Sequence, residues 1–169
     1  MADATYDAGF YTMNDGDRAV VASGGSLDVE SGGEIDIESG GAIKIAGTAI
    51  DATATQLNET FLTTTIVDIS TASSAWVVCP HAGDITKIYS VIDGAITVGD
   101  AVLDPQIGGT SITNGGITIA NASSAAGDVD SSTPTAANTV TAGQAVEIAT
   151  DGGSTDAARA VITLVLTRT

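Results

Sequence analysis

Cys79 and His81 stand two residues apart in "AWVVCPHAG", and they are the only cysteine and the only histidine of the chain. A thiol and an imidazole that close could form a nucleophile–base dyad, the imidazole taking the thiol proton. Residues two apart on a strand project from the same face, so the sequence permits the pair. The setting favours a plainer reading. Cys79 ends an apolar, β-rich run and fits a small buried hydrophobe. His81 follows Pro80 and fits a turn. A lone cysteine forms no disulfide within the chain.

A second candidate is "DVDSST", Asp128–Thr133, whose spaced carboxylates could hold calcium in the 123–137 loop. It lacks the sixth-position glycine and the closing glutamate of a calcium hand. It reads as a solvated loop, with adventitious calcium as the alternative. The glycine pairs of "IGGTSITNGGITIAN" lack the strand–Gly-x-Gly-x-x-Gly–helix order and the lysine of a phosphate loop, so they mark turns. No cluster of Cys and His has metal-ligand spacing. The expectation is a protein that is not an enzyme and carries no metal or cofactor.

Charge narrows the partners. The 169 residues hold 21 Asp and Glu against 5 Lys and Arg, for a formal net charge of −16. Nucleic acid is held chiefly through Lys and Arg on phosphates, and anionic lipid through polybasic segments. Neither partner is expected; a less acidic protein is. No apolar run approaches the ~20 residues of a membrane span. No secretory h-region opens the chain, so synthesis and first folding in a cytoplasm are expected.

The elements that would position any site fall into four zones. Residues 1–22 form an acidic, glycine-interrupted arm. It carries Tyr6, Phe10 and Tyr11, half of the chain's six aromatics, with Met13 beside them. Disordered tails are aromatic-poor, so the arm should order either on a partner or on the protein's own body. Residues 23–50 speak one eight-residue phrase three times: "SGGSLDVE", "SGGEIDIE", "SGGAIKIA". Leu27 and Val29, Ile35 and Ile37, Ile43 and Ile45 are each spaced by two, so each pair shares a strand face. Asp28, Asp36 and Lys44 take the other face. The glycine pairs permit positive φ and tight reversal. Gly47–Ile50 reads as a degenerate fourth unit that ends the repeat. One copy of so thin a stripe cannot offset the entropy of ordering its backbone. Several copies could turn their stripes to a shared axis, most simply threefold; packing on the protein's own body is the alternative.

Residues 51–62, "DATATQLNETFL", signal a short helical spacer. Thr53 or Thr55 can cap it, with Gln56 or Glu59 completing a capping box. Leu57 and Phe61 would share a helical face at i, i+4. From residue 63 to 169 the pattern is all β. Short strands alternate with turns at Asp93-Gly94, Gly108-Gly109, Asn114-Gly115-Gly116 and Asp151-Gly152-Gly153. The expected body is a jelly-roll-like sandwich of eight or so strands. Ser123–Ala137, small, polar and holding Pro134, reads as a long exposed loop. Trp76 and Tyr89, the body's two aromatics, fall in core-like strands.

The repeat, the following "IDATATQLN", and the segments "YSVIDGAITVGDAVLDPQIGG" and "AAGDVDSSTPTAANTVTAGQAVEIATDGG" resemble tailed-phage virion proteins, namely head decoration (cement) proteins and related head-fibre proteins. "ATATQLN" is similar to the "A-x-E-L-N" helix that follows such repeats, with Gln56 where glutamate is common. The likeness covers about residues 23–169. It implies a homotrimer on the outer surface of a capsid, bound to the major capsid protein and stabilising the shell. Leu27, Val29, Ile35, Ile37, Ile43, Ile45, Leu57 and Phe61 would then form the trimer interface. Tyr6, Phe10, Tyr11 and Met13 would meet the capsid. The rival expectation is a head-fibre or adhesin module whose jelly roll binds host-surface glycans; scarce exposed aromatics argue against it.

Overall fold

A computed structural model describes residues 10–12, 19–21, 23–24, 26–35, 37, 43–50 and 52–169. It divides into two compact units, residues 1–51 and 52–169.

In the first unit, β1 (Phe10–Thr12) pairs antiparallel with β2 (Ala19–Val21). The arm, read from sequence as lacking a period, thus holds a small hairpin. β3 (Lys44–Ile45) pairs with β4 (Thr48–Ala49) across a turn in which Ala46 and Gly47 both take positive φ, 49° and 85°. That is the twist a two-residue hairpin favours. Ile50 N–H donates to the Ile43 carbonyl and closes it. Earlier in the repeat, Glu30–Gly33 makes a turn with Gly32 at φ 86°. Described residues 26–35 and 37, around Leu27, Val29, Ile35 and Ile37, lie in no strand. Among the described residues the short strands expected there do not form.

The second unit opens with α1 (Ala54–Asn58). Thr53 caps it: its Oγ1 accepts from Gln56 N–H at 3.2 Å, and Gln56 Oε1 accepts from Thr53 N–H at 2.8 Å. The capping box is the one with Gln56 at the third position. The strands are β5 (Glu59–Ile66), β6 (Ser73–Val78), β7 (Gly83–Ile92), β8 (Ala101–Ile107), β9 (Thr110–Ser111), β10 (Ile117–Ile119), β11 (Val129–Ser132), β12 (Thr139–Val140), β13 (Ala145–Thr150) and β14 (Ala160–Arg168). β5 begins at Glu59, so Phe61 stands on a strand and not on the helix with Leu57. The spacer is correspondingly shorter than residues 51–62.

One sheet runs β10-β8-β13-β6 and the other β11-β7-β14-β5, all antiparallel. Setting aside the short β9 and β12, one sheet holds the first, eighth, third and sixth strands. The other holds the second, seventh, fourth and fifth. This is the double Greek-key order of a jelly roll. β14 shows why the sequence makes it: Ala160, Ile162, Leu164 and Leu166 point inward and are buried, while Val161, Thr163 and Thr167 point outward. Ile85, Ile88, Ile92, Leu103, Ile119 and Ile148 meet them from the other strands. At Gly83 a side chain is excluded, because a Cβ there would strike the Thr167 carbonyl.

Two expectations are corrected. Asp128–Thr133 is not all loop: β11 lies within it as an edge strand on β7. Trp76 and Tyr89 lie in strands, as expected, but point outward, 61% and 41% exposed.

Candidate functional site

The thiol and imidazole form no dyad. Cys79 is fully buried in the core, and burial pushes its pKa up, away from the thiolate a nucleophile needs. His81 turns elsewhere. Its Nδ1 lies 2.9 Å from the Ala82 carbonyl and its Nε2 lies 2.8 Å from Thr60 Oγ1. A carbonyl only accepts, so Nδ1 donates to it, and Nε2 shares a hydrogen bond with the threonine hydroxyl. His81 therefore ties the turn before β7 to the start of β5.

The carboxylates of "DVDSST" also have local duties. Asp128 accepts from Ala125 N–H and shapes the loop before β11. Asp130 is half-buried. Burial, then the neighbouring Asp128 charge, raises its pKa. Among the described residues no three His, Cys, Asp or Glu side chains gather to hold a metal ion. Asp156 is tied to Thr97 N–H, Thr97 Oγ1 and Val98 N–H, and these bonds lower its pKa.

What stands out is apolar surface left to water. Leu27, Val29, Ile35, Ile37, Ile43 and Ile45 are exposed, at 40% for Val29 up to 67% for Ile45. Ile50 extends the set. In the second unit Leu57 is 70% and Phe61 65% exposed. Every residue expected at a trimer interface is therefore uncovered within one copy. Of the four expected capsid contacts, Phe10 and Tyr11 lie on β1, while Tyr6 and Met13 lie outside the described residues.

The two outer faces of the sandwich differ. On the β11-β7-β14-β5 sheet, registered rows read Phe61–Val165–Lys87, Thr63–Thr163–Tyr89–Ser131 and Thr65–Val161–Val91–Val129. These three rows hold no carboxylate, on a chain with 21 Asp and Glu, but the next row of the same face, Glu59–Thr167–Asp84, carries two at one end of the sheet. The one charge in the three rows is Lys87, whose Nζ lies 5.6 Å from the Tyr89 ring centroid and donates to Thr133 Oγ1. On the other sheet the outward side chains include Trp76, Val78, Asp104, Gln106 and Glu147. Sequence reasoning missed both faces, since a continuous apolar run such as "AWVV" carries no phase.

No described helix is long and apolar enough to cross a membrane. Compared with known protein families and with characterised proteins, the chain matches none.

Proposed function

We propose that the protein is a non-enzymatic structural protein of a virion, which binds the outer surface of a phage capsid as a homotrimer and cements the shell. The observation that carries the association is the exposed stripe of Leu27, Val29, Ile35, Ile37, Ile43 and Ile45. Burying one such side chain is worth about 1.5–3 kcal/mol. Copies that face their stripes to a common axis gain this on every chain at once. The three carboxylate-free rows of the β11-β7-β14-β5 face support the same reading. Copies carrying −16 each repel, and they meet most easily where carboxylates are absent.

The capsid contact falls to the arm. An isolated two-stranded hairpin is marginal in water, so β1 and β2 gain order by docking. Three arms on one trimer make the later contacts intramolecular, with avidity gains of about 10²–10⁴. A ligand that binds only the assembled shell stabilises it by mass action. The major capsid protein is the partner, and the virion surface is the site of action, reached from the host cytoplasm during assembly.

Co-sedimentation with shells lacking the protein tests this. The full chain should pellet with shells, and a chain without residues 2–12 should remain in solution as an intact trimer. Full binding by the truncated chain would move the contact away from the arm. No binding by either would end the capsid reading.

A further inference from the structure

We propose that the outer face of the β6–β13–β8 sheet is a binding surface for a neutral glycan, with Trp76 as its stacking platform. The register builds the surface. Trp76 pairs with Glu147, Glu147 with Gln106, and Gln106 with Ser111, one row across four strands. Facing residues in such a row lie about 4.5–5.5 Å apart, within reach of one sugar ring and its hydroxyls.

Each member contributes a distinct interaction. Trp76, the only tryptophan, is 61% exposed, and its indole has no hydrogen-bond partner among the described residues. The face of an indole carries negative potential, and the axial C–H groups of a pyranose carry the opposite sign. The sugar's apolar face thus meets the ring while its hydroxyls point sideways, into the row. There Asp104 Oδ2 accepts from Gln106 Nε2 and from Ser111 Oγ, both at 2.7 Å. These bonds fix the Gln106 amide and leave its Oε1 and second N–H for a ligand. Glu147, between Trp76 and Gln106, makes no hydrogen bond or ion pair among the described residues and offers acceptor oxygens beside the ring. A donor-and-acceptor amide next to an acceptor carboxylate suits hydroxyl groups, which do both.

Charge sets the ligand class. No Lys or Arg stands among the outward residues of this sheet, and Asp104 and Glu147 both do. An anionic polysaccharide is repelled; a neutral hexose or N-acetylhexosamine chain is not. A basic peptide is favoured less, because Asp104 is already committed to neutral donors. The row runs across the strands of one sheet face, so the ligand is extended and each copy binds weakly. The face lies on the other side of the sandwich from the β11-β7-β14-β5 sheet, so the proposal stands apart from the assembly reading.

Because Trp76 is the only tryptophan, its fluorescence reports this face alone. The full chain is titrated with cello-, malto- and chito-hexaose, with polygalacturonate and oligolysine as charged probes. A saturable emission change with a neutral hexaose, unaltered by salt, is expected. Amide NMR shifts should map to residues 74–78, 104–111 and 145–149. Trp76→Ala and Glu147→Ala, both surface changes, should each weaken those NMR-detected contacts about tenfold, the scale of losing an aromatic or charged hydrogen-bonded contact. Three results overturn the proposal: no response to any neutral hexaose, a response to oligolysine alone that salt abolishes, or an emission shift with protein concentration alone, which would show a second copy covering Trp76.

Discussion

The repeat and the jelly roll use the same residues to opposite ends. Both alternate Ile, Leu and Val with polar side chains at period two. In β14 the alternating set Ile162, Leu164 and Leu166 is 0% exposed, because a second sheet of the same chain lies over it. In the repeat Ile35 is 60% and Ile45 67% exposed. Alternation creates a stripe; it does not cover it. The body contains its own cover; on the proposed reading the repeat finds one in other copies.

The largest expected effect is on the repeat. Ile35→Asp together with Ile37→Asp puts unpaired charges where stripes would meet, and such burial is strongly unfavourable. The assembly should fall to single chains, read by light scattering, while the melting of the body is unchanged. A parallel loss of body stability would erase the division between the two regions. Leu164→Ala does the reverse. It opens a cavity between the sheets and should lower body stability by about 2–5 kcal/mol, measured by denaturant unfolding, and leave the oligomer mass intact below the transition. Leu27→Ala, the matching change in the repeat, should leave the body's denaturation curve where it was.

Acid should separate the regions further. The Asp156 pKa is lowered by its bonds to Thr97 and Val98. A lowered carboxylate contributes stability above its unfolded pKa and loses it as pH falls through its folded one. Below that window the Thr97 and Val98 amides should lose protection relative to their intrinsic exchange rates at the same pH, and Asp156→Asn should bring the same loosening to neutral pH. Asp130 runs oppositely. Its raised pKa means a contribution present at low pH and lost as pH rises above the ordinary carboxylate range. The smallest effect is Ser90→Ala. The Ser90 Oγ is buried with no hydrogen-bond partner among the described residues. Removing it should be neutral or stabilise the body by up to about 1 kcal/mol; clear destabilisation would reveal an unseen partner.

Much of the fold was legible because alternation and turn chemistry agree. "ARAVITLVLTRT" reads as one strand, and Gly108-Gly109 separates β8 from β9 as a turn should. Thr53 and Gln56 announced the cap. The failures have physical causes. Phe61 looked helical at i, i+4 from Leu57, but Thr63, Thr64 and Thr65 favour a strand that extends back to Glu59. β11 was missed because Val129–Ser132 is small and polar, and an edge strand needs only one neighbour. Trp76 was misplaced because Ala75, Trp76, Val77 and Val78 are all apolar, so only the pairing with Glu147 reveals which of them face water.

The central claim is that the repeat is covered by other copies of the chain. Light scattering on the full chain and on residues 52–169, at micromolar concentration, tests it directly. The account predicts three times the chain mass for the full protein, and for the shorter one a folded body of weaker association, single or concentration-dependent. A single-chain mass for the full protein would contradict it, since the stripe of Leu27 to Ile45 would then stand in water with nothing over it.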